Sequence, residues 1–280
     1  MSSFPLFSSA PVERPFPAQS VARKFSAETL FKTPSIVPAS RLELRPLPEM
    51  ASTEIPEIDT LTGGLPRGCL TEICGTASSG RTSFLLRFLA ASSWRQEACA
   101  LVDVTDAFDP SSAASAGINF EKLLWVRCGT DEKVFPSRRR SAKQNQTEAR
   151  LEQALRVTDL LLQSGGFGVV AIDLGDMPFA MARRVPLASW FRFQRAVEHT
   201  PTVLLVITPA ACTQSCAALL LQMKAAKKLS AFSSQRSAEI PHTRLLEGLE
   251  IHAEVVRSRF QRKPPKSVTT AFSTKAVHAG

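Results

Sequence analysis

Residues 75–83 have the sequence Gly-Thr-Ala-Ser-Ser-Gly-Arg-Thr-Ser, and this stretch decides the fold. It follows residues 70–74, which predict a strand, and it leads into residues 82–92, which predict a helix. The stretch differs at one position from the phosphate-binding motif G-x-x-x-x-G-K-[ST]. In such a loop, backbone N–H groups and the positive end of the helix surround phosphate oxygens. The segment therefore predicts a phosphate loop with one altered position.

The altered position is Arg81, which replaces the lysine of the motif. Arginine keeps the positive charge but presents a planar fork instead of a compact ammonium. Because an arginine can also pair with phosphate, a bound nucleotide and a vestigial loop kept only as a turn both stay open. The residues predicted to bind nucleotide are Gly75, Ser78, Ser79, Gly80, Arg81, Thr82, Ser83 and Asp173, with Thr82 and Asp173 as the predicted Mg²⁺ ligands.

From residue 58 onward, short apolar runs alternate with longer helical runs, which is typical of βαβ units around a mostly parallel sheet. The pattern predicts helices at 82–92, 147–163, 186–198 and 210–228, and strands at 70–74, 98–104, 123–127, 167–172 and 203–207. Residues 245–260 include an alternation of apolar and polar side chains that is typical of a half-exposed edge strand.

One α/β core is predicted at residues 51–260. The proline-rich segment 1–50 is predicted to be disordered or ordered by a partner, and residues 261–280 to form a basic, flexible tail.

The composition of the chain and the distribution of its apolar residues limit the classes of protein to which it can belong. No apolar run approaches the roughly 20 residues that cross a bilayer, and the first residues lack the pattern of a secretion signal, so a cytoplasmic protein with no membrane partner is expected. The six cysteines mostly lie singly in apolar stretches. Cys212 and Cys216 would share one face of the predicted helix 210–228, where buried packing is favoured over a metal site or a disulfide.

The formal net charge of +9 points to an acidic partner, although a basic balance also serves solubility. Three basic segments could meet a phosphate backbone: residues 138–143, residues 224–228 and the tail after Arg257. Contacts of this kind give salt-dependent affinity without sequence preference. A solvated charged surface is an equally good interpretation of each segment alone.

A wider set of residues resembles the bacterial RecA family. The resemblance rests on residues 58–59, 63–68, 71–75 and 78–82 around the loop, and on residues 101–104, 106–110, 116–118 and 123–124 further on. It runs, with weakening detail, from about residue 58 to 206. It implies a RecA-like α/β core of the phosphate-loop class, and ATP with Mg²⁺ as the cofactor.

This sequence departs from the RecA family at positions that serve catalysis in that family. Thr105 lies where the family has a glutamate that positions the attacking water, and a hydroxyl is no carboxylate base at neutral pH. Thr208 lies where the family has a polar amide sensor. Asp173 matches the second acidic residue of the site, although it could be an ordinary strand-end aspartate. We therefore expect little or no ATP hydrolysis.

RecA-like proteins with such a decayed site resemble the ImuA type, accessory proteins of mutagenic translesion synthesis in the SOS response. The resemblance implies translesion polymerase subunits and RecA itself as partners, with single-stranded DNA as a further ligand. Three alternatives stay open: an active ATP-dependent recombinase, a SulA-like inhibitor of cell division, and a scaffold that never binds nucleotide.

Overall fold

The computed structural model describes residues 47–129, 140–225, 248–260 and 269–275. Within these ranges the helices are α1 (Pro56–Thr62), α2 (Arg81–Trp94), α3 (Pro110–Ser115), α4 (Arg140–Ser164), α5 (Phe179–Ala182) and α6 (Leu187–Val197). The strands are β1 (Met50–Ala51), β2 (Leu65–Pro66), β3 (Cys69–Gly75), β4 (Cys99–Asp103), β5 (Leu123–Arg127), β6 (Val169–Asp173), β7 (Val203–Thr208), β8 (Leu219–Ala225), β9 (Gly248–Ser258) and β10 (Thr269–Lys275).

The main sheet has the order β10-β9-β8-β3-β7-β6-β4-β5 in the described part of the chain. Strands β8, β3, β7, β6, β4 and β5 pair in parallel, and β9 and β10 add an antiparallel extension. Because parallel strands end at the same edge, the registers place Asp103 beside Asp173 and Cys74 beside Thr208. The predicted mostly parallel α/β sheet is confirmed, and its carboxyl edge holds the phosphate-loop segment.

Two hydrophobic cores cover the sheet, one on each face. One core packs α2 against alternate residues of the strands, including Ile73, Leu101 and Leu205. The other packs residues of α4 and α6 against the intervening positions, such as Val102 and Val206. Burial on both faces explains why the central strands are continuous apolar runs, a pattern typical of parallel sheets.

Residues 210–225, the described part of the segment 210–228, do not form the predicted helix. The described part of this segment contains a short 3₁₀ turn, Gln214–Cys216, followed by β8. The apolar run 217–221 suits either structure, and pairing with β3 on one side and β9 on the other satisfies the backbone of β8 within the sheet. Cys212 and Cys216 are both buried and free, but they lie in a loop and a 3₁₀ turn instead of on one helical face.

Two further segments differ from the sequence-based expectation. Strand β9 covers most of residues 245–260 but lies between β8 and β10, so it is not an edge strand. Part of the tail predicted to be flexible forms β10, whose Phe272 is buried in the α2-side core. Of the predicted N-terminal segment, residues 1–46 lie outside the described part, and Met50 pairs with Pro66 in a small second sheet. The domain limits otherwise stay a prediction.

Candidate nucleotide site

The loop between β3 and α2 has the shape of a phosphate loop. Ser78 has a φ of 59° and Gly80 a φ of 89°, so two positions of the turn are left-handed and the chain reverses directly into the helix. Residues 76–78 are exposed, whereas Ser79 and Gly80 are buried. The structure therefore brings the predicted strand, turn and helix together as the sequence indicated.

The two glycines of the motif have packing reasons that involve no phosphate. A Cβ atom added to Gly75 would collide with Ser79 Oγ and with the carbonyl oxygen of Met223 on the neighbouring β8. One added to Gly80 would collide with Ile251, a buried side chain of β9. Both positions thus need glycine because β8 and β9 pack closely against the loop, so the two glycines do not by themselves indicate phosphate binding.

Arg81 lies at the first position of α2 and turns its side chain into the protein. Its guanidinium Nη1 donates to the carbonyl oxygens of Gly175, at 2.9 Å, and of Thr208, at 3.0 Å. Its Nη2 lies 3.8 Å from a carboxylate oxygen of Asp176. Only 6% of the residue is exposed. The replacement for the motif lysine is therefore bound to the loop that follows β6 and to the last residue of β7.

Asp173 is the last residue of β6 and lies next to these contacts. One of its carboxylate oxygens accepts a hydrogen bond of 2.8 Å from the backbone N–H of Gly175. Burial raises the pKa of the Asp173 carboxyl to about 6, with smaller upward contributions from Asp103 and Asp176, while the Gly175 hydrogen bond and the charge of Arg81 act in the opposite direction. Part of the Asp173 population is consequently protonated near neutral pH.

The other residues singled out from the sequence differ in burial. Thr82 is exposed and Ser83 is half-buried on the first turn of α2. Ser79 Oγ is buried and makes no hydrogen bond within the described residues. The hydroxyl of Thr105, at the position expected to carry a catalytic carboxylate, is likewise buried without a hydrogen-bond partner there. Nothing in the described structure gives Thr105 the role of a base.

Asp103 organises the turn that contains Thr105. Its carboxylate accepts hydrogen bonds from the backbone N–H groups of Ala107, at 3.1 Å, and Phe108, at 3.0 Å, and from the indole nitrogen of Trp125, at 3.3 Å. These bonds commit the completely buried carboxylate to holding the backbone. Asp103 is thus a structural residue of the site edge.

Glu72 is a second buried carboxylate that sequence patterns did not single out. It is completely buried in β3 and accepts hydrogen bonds from Thr208 Oγ1 at 2.9 Å, from the backbone N–H of Cys212 at 2.7 Å and from the backbone N–H of Thr213 at 3.2 Å. The Thr213 hydroxyl also donates to it. One side chain therefore fixes the loop after β7, where the sequence resemblance implies a polar sensor. A glutamate inside an apolar strand was the available signal.

Mg²⁺ and a nucleoside triphosphate could bind here only if the residues of the site are free to hold them. The loop has the right turn, and the exposed Thr82 could offer its hydroxyl. However, the guanidinium of Arg81 is already bound to the carbonyl oxygens of Gly175 and Thr208, and one carboxylate oxygen of Asp173 already accepts a hydrogen bond from the Gly175 N–H. The residues do not fit the pair of Mg²⁺ and terminal phosphate.

Within the residues that the structure describes, no three potential ligands among His, Cys, Asp and Glu cluster to hold a metal ion. Among the same residues, no helix is both long and apolar enough to cross a membrane.

Comparison with known proteins agrees with the geometry. Residues 37–136 match the RecA N-terminal domain family. Over 111 residues, or 40% of this chain, the sequence is 33% identical to Protein RecA of Rickettsia canadensis (strain McKiel) and 34% identical to Protein RecA of Ectopseudomonas oleovorans, in each case covering 26% of the relative. The matched region thus spans about a quarter of these relatives' length.

The crystal structure of the RadB recombinase is similar over a longer range. It covers 80% of this chain and 95% of its own, with a TM-score of 0.50 and 18% sequence identity, a likeness that concerns the fold. The fold and the loop together define an α/β protein of the phosphate-loop class. Within that class, residues 37–136 are similar to the RecA N-terminal domain, and the fold is similar to that of the RadB recombinase.

Proposed function

We propose that this protein is a non-hydrolysing RecA-like accessory in DNA damage tolerance, of the ImuA type. It acts by binding partner proteins, with translesion polymerase subunits and RecA as the proposed partners, and it has a weak affinity for single-stranded DNA. The observation that carries the proposal is the position of Arg81, which is hydrogen-bonded to Gly175 and Thr208 where an active site of this class needs a free cation.

A second observation supports the same conclusion. Hydrolysis needs a group that orients and deprotonates the attacking water, and the candidate position holds Thr105, whose hydroxyl is buried. The loop after β7 is a third difference from an active site of this class. The carboxylate of Glu72 accepts hydrogen bonds from both side-chain and backbone donors of residues 208–213 and so fixes this loop. A loop bound in this way is poorly suited to respond to the state of a nucleotide.

The cofactor follows from the same residues. ATP with Mg²⁺ is the cofactor that the superfamily relationship suggests, and we propose that the accessory role does not require it. The proposed assignment to the SOS response derives from the resemblance to ImuA-type proteins. The proposed cytoplasmic location derives from the sequence, which contains no apolar run approaching the length that crosses a bilayer.

The competing function is that of an active recombinase. It is favoured by residues 75–82, which keep the phosphate-loop motif apart from Arg81, and by the 33% identity to Protein RecA of Rickettsia canadensis over 111 residues. It predicts nucleotide turnover and strand exchange, both of which the accessory role excludes. A SulA-like inhibitor of cell division is not favoured by any contact of the described residues.

The deciding experiment measures DNA strand exchange and single-strand-stimulated ATP hydrolysis by the purified full chain. A bacterial RecA is the positive control, and an Arg81→Lys, Thr105→Glu double variant asks whether the two altered positions are the missing parts. We expect neither activity in the natural chain. Strand exchange or stimulated turnover by the natural chain would restore the recombinase.

DNA binding is tested separately with a fluorescent single-stranded oligonucleotide. Because such contacts release counterions from the phosphate backbone, we expect affinity to fall steeply between about 50 and 200 mM salt and to be independent of base sequence. Lys224, from the second basic segment, is exposed and pairs with Glu254 at 3.3 Å; because such a surface pair competes only weakly with phosphate, Lys224→Ala should lower the affinity and its salt dependence slightly. A strong preference for one sequence would contradict this mode of binding.

A further inference from the structure

The guanidinium of Arg81 connects three separate parts of the chain. Arg81 itself begins α2, Gly175 follows β6, and Thr208 ends β7. Carbonyl oxygens at strand ends need donors, and in this site both receive one from the same nitrogen. The side chain therefore acts as a bridge across the carboxyl edge of the sheet.

The bridge also brings positive charge to an acidic edge. Asp173 and Asp103 are direct neighbours in the sheet register, and Asp176 lies 3.8 Å from the Arg81 guanidinium. In proteins of the phosphate-loop class, a bound divalent cation together with the loop lysine balances the charge of such carboxylates and of the phosphates. An arginine that is always protonated can balance the carboxylates permanently.

We propose that Arg81 is a built-in occupant of the position for the metal and terminal phosphate, so that the site rejects Mg²⁺-nucleoside triphosphate and the carboxyl edge keeps one conformation without any nucleotide. This inference rests on the proposed non-hydrolysing function and goes further, because a protein that binds ATP without splitting it would satisfy the function but not the inference. A side chain of the protein, Arg81, then takes the place of a Mg²⁺-nucleotide that could dissociate.

The proposal explains why the loop geometry survives. Gly75 and Gly80 are needed for packing against Met223 and Ile251, and α2 needs its start at Arg81 for the guanidinium to reach the two carbonyl oxygens. Strand, turn and helix are therefore retained by contacts within the protein.

The test is thermal unfolding of the full chain with and without Mg²⁺ and the slowly hydrolysed analogue AMP-PNP. Four proteins are compared: the natural chain, Arg81→Ala, Arg81→Lys and the control Arg87→Lys. Arg87 lies on the same helix, is exposed and donates to the Glu54 carbonyl at 3.3 Å. Arg87→Lys therefore keeps the positive charge and the helix, and it leaves the Arg81 bridge intact.

We expect the midpoint of the natural chain and of Arg87→Lys to be unmoved by Mg²⁺ and AMP-PNP. Arg81→Ala should unfold roughly 3–8 °C lower in buffer, because two buried acceptors lose their donor. Mg²⁺ with AMP-PNP should then raise its midpoint, and a purely structural role for Arg81 gives no such gain. Arg81→Lys should bind the analogue at least about tenfold more tightly than the natural chain.

A midpoint of the natural chain that rises with Mg²⁺ and AMP-PNP would overturn the proposal, and this arm needs no variant to fold. Equal responses of the natural chain and Arg81→Lys would overturn it as well. Binding without turnover by the natural chain would leave the proposed function standing, whereas turnover would remove the function itself. The two failures are therefore distinguishable.

Discussion

Arg81 and Thr208 are 127 positions apart in the chain, yet Nη1 of Arg81 donates a hydrogen bond of 3.0 Å to the Thr208 carbonyl oxygen. The Thr208 hydroxyl donates in the opposite direction, to the buried carboxylate of Glu72. One residue at the end of β7 is thus held by two side chains, one from α2 and one from β3. The candidate nucleotide site is consequently linked to the loop at 208–213 by fixed bonds.

Glu72 should be a large contributor to stability. Glu72→Gln replaces one acceptor oxygen by an NH₂ group, which would face at least one of the donors from Thr208, Cys212 and Thr213. We expect a loss of about 2–4 kcal/mol in the free energy of unfolding, measured by urea titration. The matched variant Glu250→Gln, at an exposed position of β9, should change it by less than about 0.5 kcal/mol. Equal effects of the two variants would contradict the role of Glu72.

Gly80 should resist substitution because of Ile251. Gly80→Ala adds a Cβ atom that collides with Ile251 and that is also disfavoured at a φ of 89°. We expect a loss of about 2–4 kcal/mol. Gly117→Ala separates the two causes, because Gly117 has a φ of 85° but the nearest atom to an added Cβ, Trp94 Nε1, lies 3.8 Å away. This control should cost about 1–2 kcal/mol.

A double-mutant cycle checks the contact directly. In an Ile251→Ala background the collision is absent, so the cost of Gly80→Ala should fall by at least about 1 kcal/mol. Additive free energies of unfolding in the two single variants and the double variant would show that Ile251 does not restrict Gly80.

Asp173 should make stability depend on pH. Its pKa is about 6 in the folded protein against an ordinary value of 3.8, so the folded state holds the proton more tightly. The resulting stabilisation is fully present below about pH 4 and is lost as the pH rises through 6. Relative to Asp173→Asn, which has no proton to lose, the natural chain should therefore lose up to about 3 kcal/mol between pH 4 and pH 7.5.

Urea titrations of both proteins at several pH values measure this difference. Asp109→Asn is a control with the opposite sign, because hydrogen bonds from Ser112 and Ser111 lower the pKa of the Asp109 carboxyl. The stability of the natural chain relative to Asp109→Asn should fall as the pH is lowered. A difference between the natural chain and Asp173→Asn that does not change with pH would show that Asp173 is ordinarily hydrated.

Much of the frame could be predicted from the sequence because its signals are local. The central strands are continuous apolar runs, and a glycine-rich turn between strand and helix limits the topology, so β3 to β7 and α2 lie close to their predicted ranges. Residues 217–225 were predicted incorrectly because their apolar pattern fits a helix as well as a strand. Pairing with β3 and β9, both distant in sequence, decides between them.

In the candidate site, too, some features have local sequence signals and others depend on residues distant in sequence. The residues of the loop were predicted from a motif, but the direction of the Arg81 side chain depends on carbonyl oxygens 94 and 127 positions away. The role of Glu72 likewise depends on residues more than 130 positions away. No local pattern carries that information, so the sequence left a nucleotide-binding loop and a vestigial turn as equal alternatives.

We have proposed that Arg81 closes the nucleotide site of a RecA-like fold. The most direct measurement is isothermal titration of Mg²⁺ and AMP-PNP into the natural full-length chain. We predict no binding heat up to millimolar ligand. One-to-one binding with a Kd below about 0.1 mM would contradict the claim and would mean that Arg81 leaves its two carbonyl partners to hold a phosphate.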